Sequence, residues 1–495
     1  MRLIVAFLLV APLLPGANLI RKWSTRLNTT TFEMAEGSAE IEFLSDTTFR
    51  FQRCDPGAIC VSRASVKDLV PITSRASSRM IEFQTDVLVV QVWREDCTIS
   101  VQHWKRGDLF QEVDDGEILE WTATEKEKFF GLGMRSDSSL DLRGRKIRAT
   151  RPLLISSLGY GIFMSTPGPF EFDLGKNVKV SGGAIRGRVE FLFYYGPEPK
   201  DILSEHHSAV GSIQGVQPAH TGVLGRPAGY SVAVDAKDAR EAITRLSHGS
   251  LSGILAGAVD LASRFGSVGP WLPMVFQSAG EPDPNAVAIR RRMSSYLLTY
   301  LWEARDSNTP MLRPLRMQYP EDPETEHRLD EFMLGDELLV GGGDSVYLPR
   351  GIWTDLRTNK AHRGKQTIDA RGEGAAVYAR NGSIVPMTPG SLMELHYFPR
   401  LGAEYFIAEP SLGKYSKAHA GPALDILRLE IEPIVTRDYE WVVHNVSRAS
   451  GVEAIGVDLE PNAWRYDEVK RNLHIRVSVP KESDAILKVT LEEPL

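Results

Sequence analysis

The residues of this chain best suited to acid–base chemistry lie between positions 201 and 281. They are Asp201, Glu205, Asp235, Asp238, Glu241, Asp260 and Glu281. Two carboxyl groups on either side of one bond can divide acid and base, or acid and nucleophile, when their surroundings push their pKa values apart. Spacing does not pair them; any two can meet in three dimensions. Other chemistries find less support. His206 and His207 are adjacent on a helical stretch, so they point in different directions, and no carboxylate supplies a matching ligand spacing; a solvated helix end is expected there. No CxxC or Cys/His pair has zinc spacing, so no metal is expected. Gly131-Leu-Gly133-Met-Arg-Ser136 lacks the third glycine of a dinucleotide loop and no helix pattern follows, so no cofactor is expected. Gly229-Tyr-Ser231-Val-Ala lacks the last glycine of a nucleophile elbow.

The elements that must position these residues centre on 281–355. Asp283 and Pro284 mark a helix start, and Ile289, Met293, Leu297, Tyr300 and Ala304 recur on one helical face, widened by Tyr296 and Leu301. Asn308-Thr309-Pro310 stops that helix, and Met311 to Tyr319 alternates like a strand. The run FMLGDELLV then opens an all-β region. Upstream, from about 35 to 200, short alternating runs (AEIEFL, TFRFQ, VLVVQVW, VEFLFYY) punctuated by Gly, Asp, Pro and Ser read as a β-sandwich. Ile202 to Val210 and Asp238 to Leu255 read as helices, with a Gly/Pro-rich linker over 211–225.

At 495 residues the chain has room for about three domains. A net charge of −7 leaves no basic footprint for nucleic acid or an anionic membrane. The aromatic residues (9 Trp, 14 Tyr, 19 Phe) suit sugar-stacking surfaces, although core filling accounts for most such rings. Arg2, the apolar run to Leu14 and Pro15-Gly-Ala17 read as a secretory signal with cleavage near Ala17; an uncleaved anchor, with Ile20 extending the apolar run, is the alternative. Export to the periplasm or the medium is the expectation either way. Of three cysteines, Cys54 and Cys60 flank a turn-rich loop and can close a small disulfide in an oxidising compartment, while Cys97, within the strand-like VWREDCTISV, is expected as a buried thiol.

Several pieces in fixed order resemble family-31 glycoside hydrolases, the α-glucosidases and α-xylosidases. They are IRRRMSSYLLTYLWEA, PMLRPLRMQYPED, FMLGDELLV, VYLPRGIWTD and the Asn381-Gly-Ser-Ile-Val-Pro-Met387 strand, with FFGLGMR, RPLLISSLGYGIF and YYGPEPKDIL upstream. The resemblance covers roughly residues 35 to 445 and implies a multidomain, β-rich fold with an α/β part. The expected order is a signal peptide or anchor (1–20), a galactose-mutarotase-like N-terminal β-sandwich (30–200) and a remnant of a (β/α)8 barrel (201–330). A proximal (331–390) and a distal (391–495) C-terminal β-domain follow.

The same resemblance implies retaining hydrolysis, which needs a nucleophile and an acid/base about 5–5.5 Å apart. Gly225-Arg-Pro-Ala-Gly229-Tyr-Ser-Val-Ala-Val-Asp235 follows the family's acid/base motif, with Asp235 in the carboxylate position and Val232-Ala-Val234 in place of its Trp-x-Gly. Arg226 in that motif, Arg264 in Ser263-Arg-Phe265 and Trp271 are the implied sugar contacts. The nucleophile run, of the type Trp-x-Asp-Met-Asn-Glu, is absent from the sequence, and Phe276-Gln-Ser278 replaces the family's Arg-Asn-His. From Asp201 to Tyr319 there are about 120 residues; a (β/α)8 barrel takes about 250. The expectation is a family-31 relative impaired in catalysis that binds carbohydrate or a partner, a second chain that completes the barrel being one such partner. A re-tooled glycosidase using Asp235 with an unidentified second carboxylate, and a decayed product without a role, are the alternatives.

Overall fold

The computed structural model describes residues 17–54, 69–113, 119–183, 188–211, 231–254, 256–259, 262–276 and 284–493. The chain is β-rich with few helices and divides into two compact units: residues 1–129 with 142–197, and residues 130–141 with 198–495.

The first unit is two antiparallel sheets face to face. One carries Ile20–Arg26, Thr29–Met34, Ser38–Phe43, Thr48–Cys54, Arg188–Tyr195, Tyr160–Met164 and Leu153–Ser156 in that spatial order. The other runs from Lys146–Ala149 through Phe170–Leu174 and Asn177–Gly182 to Leu119–Thr122, and on through Gly107–Val113, Ile99–His103 and Leu88–Trp93. Period-2 alternation turns one face of each strand inward. The rings that meet between the sheets include Phe110, whose centroid lies 6.1 Å from that of Phe193 and 5.3 Å from that of Trp121.

Two expectations change here. The sandwich begins at Ile20, which pairs with Met34 and is buried, so it does not lengthen an apolar helix. Residues 1–16 lie outside the described residues, and none of the described helices is long and apolar enough to cross a membrane. VWREDCTISV is two strands, not one, with Cys97 at φ 55° in the hairpin between them. Cys54 is disulfide-bonded; Cys60 lies outside the described residues. Cys97 is a free, buried thiol whose pKa burial pushes up to about 12. In the native protein Cys97 should therefore resist iodoacetamide at pH 8 and react only after denaturation. Labelling of the folded chain at the rate of a free cysteine would contradict this.

In the second unit, helix α1 (Pro199–Val210) has Pro at its first position and a capping box in which the Asp201 carboxylate accepts the Glu198 N–H at 3.0 Å. His206 and His207 are both buried, against the expected solvated end. The Asn308 amide donates to the Leu203 carbonyl of the same helix at 3.3 Å, so neighbouring structure closes over α1 and two adjacent side chains are covered together. Helix α2 (Ala239–Ser250) is capped by Asp238, which accepts the Glu241 N–H at 2.9 Å. The long helix expected after Pro284 is two, α3 (Pro284–Arg292) and α4 (Ser294–Ser307), because Met293 leaves helical geometry at ψ 5°. Its apolar face is nonetheless buried at Met293, Tyr296, Leu297, Tyr300 and Ala304. Asn308, at φ 55°, ends α4 in the left-handed region. The strand expected over Met311 to Tyr319 is only Leu312–Pro314, followed by one helical turn at Leu315–Gln318.

Among the described residues, the α/β part of this unit is a three-stranded parallel sheet of Ser231–Ala233, Ala256–Val259 and Met274–Phe276, with α2 crossing between the first two strands. The C-terminal part is a sheet built on Glu331–Leu334, Leu338–Gly341, Ala376–Arg380 and Ile352–Asp355, and then two further sheets that form a sandwich. The boundary expected at 390 shifts: Ser383–Met387 pairs with Met393–Phe398 and so belongs to the distal sheet. A single apolar core runs from Val234 and Ile243 through Tyr296 and Leu338 to Trp441 and Val489. The expected divisions at 330 and 390 therefore lie within one packed body.

Candidate functional site

Asp235 stands two residues beyond the C-terminal end of the parallel strand Ser231–Ala233. That is the end at which barrel enzymes place catalytic side chains. Here the side chain is exposed to solvent. The neighbouring carboxylates are committed to local structure. Asp201 and Asp238 hold helix N-termini. Glu241 accepts both Arg245 N–H groups at 2.9 and 3.1 Å and the Lys237 N–H at 3.2 Å, and those bonds hold its carboxyl below the usual range. Asp260, Glu281 and Arg226 lie outside the described residues, and Arg264 is placed only as a backbone position in the 3-10 helix Ala262–Trp271. A shallow cavity of about 420 Å³ next to α2 includes Asp238 and Glu241 but not Asp235.

Trp271 is half-buried and belongs to a different place. It forms a wall of a cavity of about 530 Å³ shared by α3, the proximal sheet and the distal sheet. Asp235 and Trp271, both expected at one sugar site, are thus not brought together in either cavity.

The floor of the larger cavity is a chain of buried polar groups. Glu394 and His396 are two apart on one strand and so share a face. The parallel neighbour Arg437–Val443 delivers His444 just past its end, where its N–H donates to the Tyr397 carbonyl at 3.0 Å. His396 Nε2 lies 3.0 Å from Glu394 Oε2, His396 Nδ1 2.9 Å from His444 Nε2, and His444 Nδ1 2.7 Å from Asn359 Oδ1. Arg292 reaches the same Glu394 oxygen at 3.1 Å. Asn359 cannot turn its amide round, because its Nδ2 donates to the Lys470 carbonyl at 2.7 Å and to Asn472 Oδ1 at 2.9 Å.

Those three links need three protons, and two neutral imidazoles carry only two. The hydrogen bond from His396, with Arg292 behind it, holds Glu394 at about 2, so the carboxyl is ionised. Burial and the neighbouring cations, His396 among them, pull His444 well below the ordinary histidine range, so it carries one proton, on Nδ1. His396 is the ring on which a third proton would have to sit. Burial pulls that ring towards neutrality while Glu394 opposes it. A neutral His396 gives its one proton either to Glu394 through Nε2 or to His444 through Nδ1, and the other contact is then without a hydrogen.

Sequence reasoning passed over this cluster. Glu394-x-His396 in LMELHYFP was its one local signal, and the other members come from positions 292, 359, 444 and 465–474. Among the described residues no group of His, Cys, Asp and Glu is arranged to hold a metal ion.

Residues 308–385 match the glycosyl hydrolase family 31 C-terminal domain. Neutral alpha-glucosidase AB of Mus musculus is 34% identical over 113 residues, which is 21% of this chain and 12% of that protein. The isomaltosyltransferase of Sporosarcina globispora is 25% identical over 183 residues, 34% of this chain and 15% of that protein. The sequence matches thus span only 12–15% of the length of these curated relatives. A family-31 dextranase from Flavobacterium johnsoniae, solved with isomaltotriose, superposes with a TM-score of 0.79 at 13% identity, covering 96% of this chain and 100% of that one. By sequence in its C-terminal part and by fold over nearly its whole length, the chain is a relative of glycoside hydrolase family 31.

Proposed function

We propose that this chain is an exported family-31 relative with a truncated catalytic barrel, which has lost glycoside cleavage and retains carbohydrate or partner binding. One observation carries the reading. Where a retaining barrel would hold a nucleophile facing an acid in a pocket, the described residues offer three parallel strands and a solvent-exposed Asp235. Carbohydrate binding draws support from relatives: structural neighbours were solved with isomaltotriose and with glucose. Export draws support from the N-terminal run and from the disulfide at Cys54.

The position of Asp235 at a strand's C-terminal end favours a second reading, in which a residual α-glycosidase uses it as acid/base. An aryl α-glucoside with an activated leaving group, which needs little acid help, separates the two. Turnover should stay at trace level in the wild-type chain and be unchanged in Asp235→Asn. Turnover at about 1–1000 per second, abolished by that substitution, would establish the residual enzyme instead.

A further inference from the structure

We propose that the cavity floored by His396 and His444 binds a mono- or disaccharide carrying an acidic group, at a site separate from the Asp235 strand end. At about 530 Å³ its volume lies in the range of small-ligand sites, roughly 300–1,000 Å³. Its lining is mixed. Trp271, Met293 and Leu356 give one apolar wall, on which the C–H face of a pyranose can lie. Also on the lining are Asn359 and His444, bonded to each other at 2.7 Å, and His474, bonded to Glu440 at 2.7 Å.

The charge on the lining is not balanced. Arg292, Arg357, Arg465 and Lys470 face the cavity, against the carboxylates Glu394 and Asp467. Arg292 and Arg357 are spoken for, by Glu394 at 3.1 Å and Asp355 at 3.1 Å. Asp467 accepts the N–H groups of Val469 and Lys470 at 3.0 Å, which keeps it ionised but ties it to its own turn. Arg465 lies 3.1 Å from His474 Nδ1 and 3.5 Å from Glu440, but that carboxylate already takes Arg476 at 2.5 Å and His474 at 2.7 Å. Arg465 and Lys470 are exposed at the rim, and Lys470 enters no ion pair among the described residues. A guanidinium fork and an ammonium beside an apolar wall suit a carboxylate or phosphate attached to a sugar ring. The floor groups bond to one another, which fixes the rings, so binding would need little rearrangement.

The sugar part of this assignment rests on the carbohydrate-binding reading above; the charge part does not. Calorimetric titration of the full chain with glucuronate, glucose 6-phosphate, glucose and inorganic phosphate tests both. One or both of the acidic sugars should bind at least about tenfold more tightly than glucose or inorganic phosphate, and which of them does so identifies the acidic group. Arg465→Ala and Lys470→Ala should each remove most of that preference, Trp271→Ala should weaken every sugar, and Asp235→Asn should change nothing. Equal affinity for glucose and glucuronate, inorganic phosphate binding as well as the acidic sugars, or no binding of any probe would overturn the proposal. So would binding lost in Asp235→Asn and kept in the cavity variants, which would place the ligand at the strand end and leave the carbohydrate-binding reading standing.

Discussion

Replacing Arg313 by methionine should cost the folded chain about 3 kcal/mol, the lower end of what breaking a buried ion pair costs. Arg313 follows the Asn308-Thr309-Pro310 stop, and its side chain is 3% exposed. Its guanidinium donates to Glu303 at 2.8 Å, to Asp336 and to the Pro310 carbonyl at 2.9 Å, and it lies over the Tyr300 ring at 5.2 Å. Methionine fills much of the volume but removes the cation between the two carboxylates, leaving Asp336 only the field of Arg380 and Glu303 only that of Lys200. Glu303 and Asp336 are 37% and 44% exposed, so water relieves part of the cost and the low end applies. Asp336 keeps Gln318 at 2.6 Å in either case. The measurement is chemical denaturation of the wild type, of Arg313→Met, and of Arg313→Met with Glu303→Gln. Partial recovery in the double variant is expected, because it removes one unmatched charge. A loss below about 0.5 kcal/mol in the single variant would mean that the cluster contributes no more than a surface pair.

The parts of this architecture that depend on local pattern were open to sequence reading. Alternation in AEIEFL and TFRFQ marked real strands, but not half-buried ones: both faces are covered, and the polar positions Glu40 and Glu42 are paired across the strands with Gln52 and Arg50. Pro284 and Asn308 bracket helical text because one lacks the amide hydrogen and the other tolerates positive φ. What failed depended on neighbours. Adjacent His206 and His207 could be assigned to solvent only by assuming that nothing covers the far side of α1. The break at Met293 has no glycine or proline to announce it. The cavity of Arg292, Asn359, His396 and His444 brings together positions separated by up to about 150 residues, so no spacing rule reaches it. Gly335 is an intermediate case. It lies in FMLGDELLV at φ 64°, a conformation that favours glycine, and a methyl group there would also collide with the Tyr300 ring, a constraint visible only once α4 is packed in place.

Stability should fall as pH rises from about 5 to 8.5, and Glu331 should be a main cause. Its side chain is 2% exposed, its oxygens accept the Tyr347 N–H at 2.9 and 3.2 Å, and Arg328 comes no nearer than 3.7 Å. Burial, with Asp330 adding repulsion, pushes it up to about 8. Glu337 behaves alike. Burial and the Asp336 charge push it up to about 7, and a protonated carboxyl there lets Tyr296 give its own hydrogen to the Leu334 carbonyl at 2.5 Å. The sign follows from linkage. Each group binds its proton more tightly when folded than at its ordinary value of 4.5. Its stabilisation is therefore complete below about pH 4.5 and is lost as pH climbs through the folded value. At 1.36 kcal/mol per pKa unit, the excursion at Glu331 is on the order of 3–5 kcal/mol. His444 works in the opposite direction, since a ring held neutral in the fold costs stability as pH falls below about 6.5. Wild type alone would mix the two effects, so the quantity to measure is the difference between wild type and Glu331→Gln in denaturation free energy at pH 5.5 and at pH 8.5. The amide cannot ionise, so the variant should gain on the wild type by a few kcal/mol between those pH values. Parallel curves for the two proteins would show that Glu331 is already ionised in the fold, held by the Tyr347 N–H and Arg328 despite its burial.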